Sequence, residues 1–216
     1  RIPNILLDVD SLVTLPVVKT HNVSGLTCAL KNQWGCIPRF RQKFHLILSL
    51  AIPEINVALP VKFCVADASV SLEDNGPVTG IPKVTNSFFA SNDRVALDSA
   101  VAEFIGYDVS SFGYIPNSEK LGLGSTNFRI VGDNFIPYKF RPALACNHPI
   151  VSWELRLRKT PGINKLLFET PIFRIPAWCA YTYNSVWWYN KYGKKYANKV
   201  MRDYPVYREE FRGLIK

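Results

Sequence analysis

The sequence predicts an α/β fold, with a mixed or mostly parallel sheet flanked by helices, followed by a basic, aromatic-rich helical extension. Apolar, β-branched runs alternate along the chain with segments of helical periodicity, which is typical of α/β domains. The 216 residues are 48% hydrophobic and 20% charged, which suits a folded globular chain. Because the pattern changes near residue 137, we expect an α/β domain at residues 1–137 and an extension at 138–216 that packs on it.

The first third of the chain is predicted to contain strands followed by two helices. Residues 5–18 are rich in Leu and Val, which favours one or two buried strands. Ser24 is expected to cap a short helix that runs to about Asn32. A further helix is expected at residues 44–51.

The middle of the chain contains the clearest strand. Residues 61–67 form a continuous β-branched and aromatic run, which predicts a central strand buried on both faces. A loop is expected at residues 73–82, where Gly, Pro, Asn and Asp cluster. Residues 84–90 are a second strand candidate.

One more helix and one short strand complete the predicted domain. Asn92 or Asp93 is expected to cap a helix that ends at Gly106, because Asn and Asp are favoured at N-caps and Gly after helix ends. Residues 128–131 are β-branched and aromatic and are predicted to be a short strand. Beyond about residue 137, Pro-punctuated short helices with aromatic faces are expected.

The positive charge lies in the extension. Residues 1–137 contain 11 basic and 12 acidic side chains, whereas residues 138–216 contain 15 basic and 5 acidic ones. This asymmetry indicates either a solvated basic face or a surface that meets an acidic protein or an anionic membrane. Nucleic acid is disfavoured, because no recognisable nucleic-acid module frames the basic residues. The extension is also aromatic, with Trp178, Tyr181, Tyr183, Trp187, Trp188, Tyr189, Tyr192 and Tyr196.

Composition also constrains location and cofactors. No run approaches the roughly 18 apolar residues of a transmembrane helix. The five cysteines are odd in number and irregularly spaced, which favours a reducing compartment, the cytoplasm, over a disulfide framework. The chain has no Cys-x-x-Cys, so we expect neither a zinc ribbon nor an iron–sulfur cluster held by this chain alone. Since the chain opens without an initiator Met or a signal region, we expect a processed product or part of a longer one.

A polar site is predicted at the strand ends. Lys19 and His21 are two residues apart and share one face of an extended chain, and Asp67 ends another strand. Open α/β sheets bind their ligands at the carboxyl ends of strands, so these groups are expected to clamp an anion, relay a proton or both. Lys31 and Asp98 are expected to join them, because a carboxylate on an apolar helix face needs a partner. The alternative is that they are ordinary structural polar residues.

Two other site types receive less support. The loop from Gly76 to Gly80 could bring backbone N–H groups close to a ligand, but it lacks the Gly-Lys-Ser/Thr ending of a P-loop. No metal site is expected, because the gaps between His21, Cys28, Cys36 and His45 match no compact motif.

Four blocks of sequence resemble, in order and spacing, the domain of unknown function DUF362 over roughly residues 5–135. They are LPVVKTH, TCALKNQWGCIP, VADASVSLEDNGPVTGIPK and SNDRVALDSAVAEFIGYD. The family's motif residues fall on Lys19, His21, Lys31, Asn32, Asp67, Asn75, Gly76, Pro77, Asp93 and Asp98. The family often occurs beside iron–sulfur ferredoxin modules, which implies a link to redox metabolism. This chain lacks the family's preceding α/β segment and any ferredoxin cysteine run, so a cluster would lie on a partner or on a missing segment.

Two functions are therefore expected as alternatives, and the sequence does not establish that the chain is an enzyme. In the first, Lys19, His21, Lys31, Asp67 and Asp98 are catalytic, and the chain works with an iron–sulfur or other redox partner. The ligand, an anionic small molecule, would then be held by Asn32, Asn75, Gly76, Pro77, Gly80 and Asp93. In the second, the chain is a non-catalytic interaction subunit that uses its basic aromatic extension, with peripheral membrane contact as one form. Both expect a partner chain or a missing N-terminal segment.

Overall fold

The computed structural model describes residues 2–210, apart from the side chains at positions 39 and 40. Five strands form one sheet. They are Leu12–Thr14 (β1), Val17–His21 (β2), Gly25–Thr27 (β3), Val61–Glu73 (β4) and Ile81–Ser91 (β5).

The long strand β4 is the centre of the sheet. β1 and β2 follow each other along one edge of β4, both parallel to it, and β5 pairs antiparallel with the other edge. β3 adds to the outside of β2 in the antiparallel direction. The sheet is therefore mixed and is flanked by helices, which confirms the predicted α/β class.

Helices pack on this sheet, and further helices form the extension. The domain contains Ala29–Asn32 (α1), Leu48–Ala58 (α2), Arg94–Phe104 (α3) and Tyr114–Lys120 (α4), and the nine-residue 3-10 helix Arg39–Ile47 precedes α2. The extension contains Pro149–Arg158 (α5), Ile163–Phe168 (α6), Arg174–Thr182 (α7), the π-helix Tyr183–Gly193, Lys194–Asp203 (α8) and Pro205–Glu210 (α9). The helix predicted up to Gly106 is thus confirmed as α3.

The hydrophobic core lies between one face of the sheet and the domain helices. The fully buried core residues include Val18 from β2, Ala66 from β4 and Phe104 from α3. Because side chains alternate along a strand, neighbouring positions of β2 and β4 point to the opposite face. That face is only partly covered, since Phe63 and Phe88 are 41% and 67% exposed. The expectation that the central strand is buried on both faces is therefore wrong.

Several local predictions are also wrong. Residues 5–11 do not form a strand, because β4 offers a parallel partner only from Leu12 onward, and Ile5 is 72% exposed. Ser24 does not cap a helix: it precedes β3, and its hydroxyl donates to the Leu26 carbonyl. Gly25 has a φ of 81°, which turns the chain back so that β3 can pair with β2.

The strand predicted at residues 128–131 does not form. The segment has no regular secondary structure and pairs with no strand within the described part of the chain. It lines the same cavity as β5 instead of bonding to its edge.

The extension packs on the domain at several points. Phe140 is buried in the core, and its N–H donates to the Ile105 carbonyl. Farther along, His45 bonds to Glu154, and the Tyr207 hydroxyl donates to the Asn86 side chain. Within residues 2–210, no helix combines the length and the hydropathy needed to cross a membrane.

Candidate functional site

Lys19 and His21 lie at the carboxyl end of β2, on the sheet face away from the core. Val18 and Thr20 point into the core and are buried, which turns Lys19 and His21 to the other side. Lys19 is paired with Leu72, near the carboxyl end of β4, so the two parallel strands end together here. Burial lowers the pKa of the Lys19 ammonium, because a cation loses hydration when it is shielded from water.

The hydrogen bonds of His21 establish its tautomer. The backbone N–H groups of Val23 and Ser24 donate to the His21 Nδ1 atom, at 3.1 and 3.2 Å. An atom that accepts these bonds carries no proton, so the neutral ring holds its proton on Nε2. His21 can therefore donate a hydrogen bond through Nε2, whereas a role as a base would require breaking the two bonds to Nδ1.

The electrostatics of the cluster keep His21 neutral. Burial first, and then the nearby charges of Lys31, His45 and Lys19, hold the pKa of His21 well below its usual value. Each of these groups disfavours a further positive charge on the ring. His21 thus contributes a neutral donor to a cationic surrounding.

Lys31 approaches from α1, the helix that follows β3. Burial lowers its pKa from 10.5 to about 8, and the charges of Arg41 and Lys19 add to this effect. Lys31 is therefore close enough to Lys19 for the two ammonium groups to repel each other. We refer to Lys19, His21 and Lys31 as the cationic site.

No carboxylate neutralises this site within residues 2–210. The ion pairs of the described chain involve other residues, and neither Lys19 nor Lys31 has an acidic group within 4.0 Å. No carboxylate contributes to the pKa of Lys19, His21 or Lys31 either. Because shielded charges are normally paired, this surplus of positive charge is suited to an anionic ligand.

Asp98 does not belong to the cationic site. Asp98 belongs to α3, and its carboxylate is completely buried. It accepts the N–H groups of Ala29 at 2.7 Å and Leu30 at 3.3 Å. These are the first N–H groups of α1, so Asp98 supplies the cap that α1 lacks locally. Burial raises its pKa to about 7, although the hydrogen bonds from Cys28, Ala29 and Leu30 lower it.

Asp67 lies on the opposite sheet face from Asp98. It is not at a strand end, because β4 continues to Glu73, and it is paired with Val17 on the partly covered face. Its Oδ1 atom accepts the N–H and the hydroxyl of Ser69, at 2.8 and 2.6 Å. The expectation that Lys19, Lys31, Asp67 and Asp98 share one neighbourhood is therefore wrong.

The loop after β4 lies beside the end of β2. A Cβ atom on Gly76 would stand 2.0 Å from the Thr20 carbonyl oxygen, so only glycine fits this approach. Gly76 precedes Pro77 through a cis peptide bond, and its carbonyl accepts the N–H of Asn22. A Cβ atom on Gly80 would likewise stand 2.8 Å from the Glu73 carbonyl oxygen. These residues hold the loop against the strand ends.

Asn75 is the member of this loop with unused hydrogen-bonding capacity. Its backbone carbonyl accepts the Thr79 hydroxyl at 2.8 Å, but its side-chain oxygen is buried without a partner in the described residues. The loop adjoins Thr20 at the carboxyl end of β2, through the Asp74 carbonyl and Gly76.

The remaining motif residues hold secondary structure together. The Asn32 side chain donates to the Thr14 hydroxyl at 2.7 Å, which ties α1 to β1. Asp93 accepts the N–H groups of Val95 and Ala96 at the start of α3, and its other oxygen accepts the N–H of Ser125. Asp93 is therefore the N-cap of α3, and the alternative cap Asn92 is not used.

Two basic residues near the site were not predicted from the sequence. Arg41 and His45 belong to the 3-10 helix Arg39–Ile47 and contribute to the pKa shifts of Lys31 and His21. His45 also bonds to Glu154 of the extension through Nδ1, at 3.0 Å. The basic run at residues 39–45 is visible in the sequence, but only the fold brings it back to β2.

The five cysteines lie apart from these groups or inside the core. None forms a disulfide. Cys28 and Cys64 are buried, and burial raises the pKa of both thiols, to about 12 for Cys64. Within the described residues, no group of three or more His, Cys, Asp or Glu side chains is arranged to hold a metal ion.

The chain is similar to known proteins over part of its length. A thylakoid-associated protein of Synechocystis sp., sll1697, is 26% identical over 134 residues, which cover 58% of this chain. The chain spans less than half of that relative, since the match covers 42% of its length. No solved structure matches the chain. Residues 1–103, which carry Lys19, His21, Lys31, Asp67 and Asp98, match the domain of unknown function DUF362.

Proposed function

We propose that the chain binds an anionic small molecule at the cationic site formed by Lys19, His21 and Lys31. The observation that carries the proposal is that these groups are shielded from water and have no carboxylate partner in residues 2–210. A phosphate or carboxylate group would satisfy both ammonium groups and accept the Nε2 proton of His21. The carboxyl ends of β2 and β4 are also where α/β sheets commonly bind ligands.

The arrangement supports particular chemical roles. Lys31, with a pKa of about 8, holds its proton at neutral pH and can release it at modest cost, which suits a proton donor. Lys19 is suited to charge stabilisation, and His21 to a neutral hydrogen bond. Asp98 takes no part, because its carboxylate is sealed in the core.

The proposal that this site serves a redox-associated enzyme rests on the family resemblance. DUF362 domains often accompany iron–sulfur ferredoxin modules, and an iron–sulfur partner would supply electrons to a ligand held at the cationic site. The cluster would be carried by another segment or chain. A cytoplasmic location is likewise proposed from the cysteine pattern.

Sulfate provides a direct test of the cationic site, because its charge does not change above neutral pH. We expect calorimetric titration of the 216-residue chain with sodium sulfate to show saturable binding at constant ionic strength. Lys19→Gln and Lys31→Gln should each weaken this binding roughly tenfold or more, since each removes one charge-assisted contact.

The matched control is Lys62→Gln, which removes an exposed lysine from the same sheet. It should bind sulfate as the unmodified chain does. Equal weakening by all three variants would indicate a general charge effect and would defeat the proposal, as would the absence of saturable binding.

A second candidate function is an interaction subunit that docks through the basic aromatic extension. The observation in its favour is that Ile175, Trp178 and Tyr181 of α7 are 64%, 65% and 65% exposed. Large apolar side chains exposed together mark interaction or membrane-contact surfaces. The relative from Synechocystis is named as thylakoid-associated. We propose that the extension of this chain contacts an anionic membrane surface.

Co-sedimentation with phosphatidylglycerol vesicles tests this candidate. We expect the chain to bind these vesicles and Trp178→Ala and Tyr181→Ala to reduce the binding. Phe88→Ala, on the sheet, should leave it unchanged. Equal binding to neutral phosphatidylcholine vesicles, or no binding, would refute it.

A further inference from the structure

The outer edge of β5 is not paired with another strand. β5 bonds to β4 along one edge, and within residues 2–210 no backbone hydrogen bond joins its other edge to another segment. A strand edge carries N–H and C=O groups at regular intervals, and natural proteins usually cover or interrupt such an edge. The extension reaches β5 at Asn86, through the Tyr207 hydroxyl.

A cavity of about 930 Å³ runs along this edge. Six consecutive residues of β5, Asn86–Ser91, form one wall, and α3 forms the floor with Ala96 and Ala100. The outer wall is the segment 128–138, which has no regular secondary structure. The small side chains of α3 leave room directly beside the strand edge.

The dimensions of the cavity match one additional strand. Six residues of strand extend about 20 Å, the spacing between paired strands is about 4.8 Å, and a sheet layer is about 10 Å deep, which together enclose about 1,000 Å³. The cavity has nearly this volume and lies where the next strand of the sheet would lie.

We propose that the cavity along β5 is a docking slot for an extended peptide segment of another protein, which adds to the sheet as a sixth strand. The unpaired backbone groups of β5 recognise an extended main chain rather than a compact small molecule. One face of the incoming strand would lie over Ala96 of α3, and the other would lie beside Phe88, which is 67% exposed. The slot therefore favours a segment that alternates apolar and polar side chains.

The lining argues against a strongly charged partner segment. Arg129 and Asp133 are both in the outer wall, so their charges offset each other. The apolar residues Val131 and Ile136 of the same wall are 80% and 86% exposed and lie at the rim, where they can cover a bound segment. This surface is separate from the cationic site, so the two proposals stand or fall independently.

Amide hydrogen exchange measured by NMR on the 216-residue chain tests the proposal. The probe is a capped peptide, Thr-Val-Lys-Val-Thr-Val-Lys-Val, and the control is the same peptide N-methylated at every residue, which cannot donate backbone hydrogen bonds. At saturation, we expect the probe to slow exchange roughly tenfold or more at those amides between Ser87 and Ser91 that point away from β4. The control peptide should have no effect.

Two variants localise the effect. Ala96→Trp fills the slot from its floor and should abolish peptide binding, whereas Ala58→Trp, on an exposed position of α2, should not. Unchanged rapid exchange at saturating probe would overturn the proposal. Slow exchange of these amides before any peptide is added would overturn the proposal as well. Slow exchange that does not depend on protein concentration would mean that residues 128–131 occupy the edge. Slow exchange that increases with protein concentration would mean that a second copy of the chain occupies it.

Discussion

Lys31 is the residue of the cationic site whose charge changes nearest neutral pH. Its pKa of about 8 is lowered by burial first and by Arg41 and Lys19 next. A bound anion favours the protonated ammonium, so sulfate affinity should fall by up to roughly tenfold per pH unit as the pH rises above about 8. Lys31→Arg, which stays charged, should keep its affinity in this range.

Calorimetric titration with sulfate at about pH 7 and about pH 9 measures this difference. A parallel loss of affinity in the unmodified chain and in Lys31→Arg would show that another group causes the pH dependence.

Asp98 makes the stability of the chain depend on pH. Its folded-state pKa of about 7 lies above the ordinary value of 3.8, because burial penalises the charged form. The stability linked to this group is therefore fully present below about pH 4 and is lost as the pH rises through about 7, by at most ~1.4 kcal/mol per pH unit. Asp98→Asn should remove this decline.

Urea unfolding at several pH values in this window measures the effect. Asp98→Ala should lower the free energy of unfolding by ~2–4 kcal/mol, since it leaves two buried N–H groups without an acceptor and opens a cavity. An equal pH slope in Asp98→Asn and in the unmodified chain would contradict the assignment.

At the scale of elements, α3 depends on Asp93 at its N-terminus. The carboxylate accepts two N–H groups of the first turn and also the N–H of Ser125, so it joins the helix to the following loop. Asp93→Ala should lower the free energy of unfolding by ~1–2 kcal/mol, as is typical of lost N-caps. Chemical denaturation provides the measurement.

The control for Asp93 is Asp108→Ala. Asp108 bonds to the N–H of Ser110 in an exposed three-residue helix, so its removal should cost less than about 0.5 kcal/mol. If both variants lose the same stability, the capping role of Asp93 is wrong.

At the scale of the whole molecule, Glu73 joins the sheet to the start of the extension. Its carboxylate is nearly buried and accepts the Lys83 ammonium at 3.2 Å, the Arg141 Nε at 3.0 Å and the Arg141 backbone N–H at 3.1 Å. Glu73→Gln should weaken this anchor, and trypsin should then cut faster after Lys139. We expect the free energy of unfolding to fall by ~1–3 kcal/mol, because buried donors lose a charged acceptor.

Limited proteolysis, followed by mass spectrometry, locates the cuts. Glu103→Gln, at an exposed position of α3, is the control and should be cleaved as slowly as the unmodified chain. Cutting at the same rate in Glu73→Gln would show that the anchor does not depend on this carboxylate.

The sequence by itself was sufficient for the α/β class, for β4 and β5, and for α3 with its cap, because these features depend on local patterns. Alternating or continuous apolar runs indicate strands, and Asp93 followed by a helical segment indicates a helix start. The motif blocks also indicated DUF362, the domain of unknown function that residues 1–103 match. The same local patterns placed Lys19 and His21 on one strand face and at one strand end, where the structure has them.

Only the tertiary structure decided which polar residues come together. From the sequence, both Asp67 and Asp98 are expected in the site. In the structure, β4 continues past Asp67, which lies on the partly covered face, while α3 places Asp98 in the core. Arg41 adds to the lowering of the Lys31 pKa, which no pattern in the sequence predicted. The sequence pattern of one helix or strand indicates which residues share a face. Which residues contact that face depends on how distant segments pack, and the local spacing of residues does not determine this.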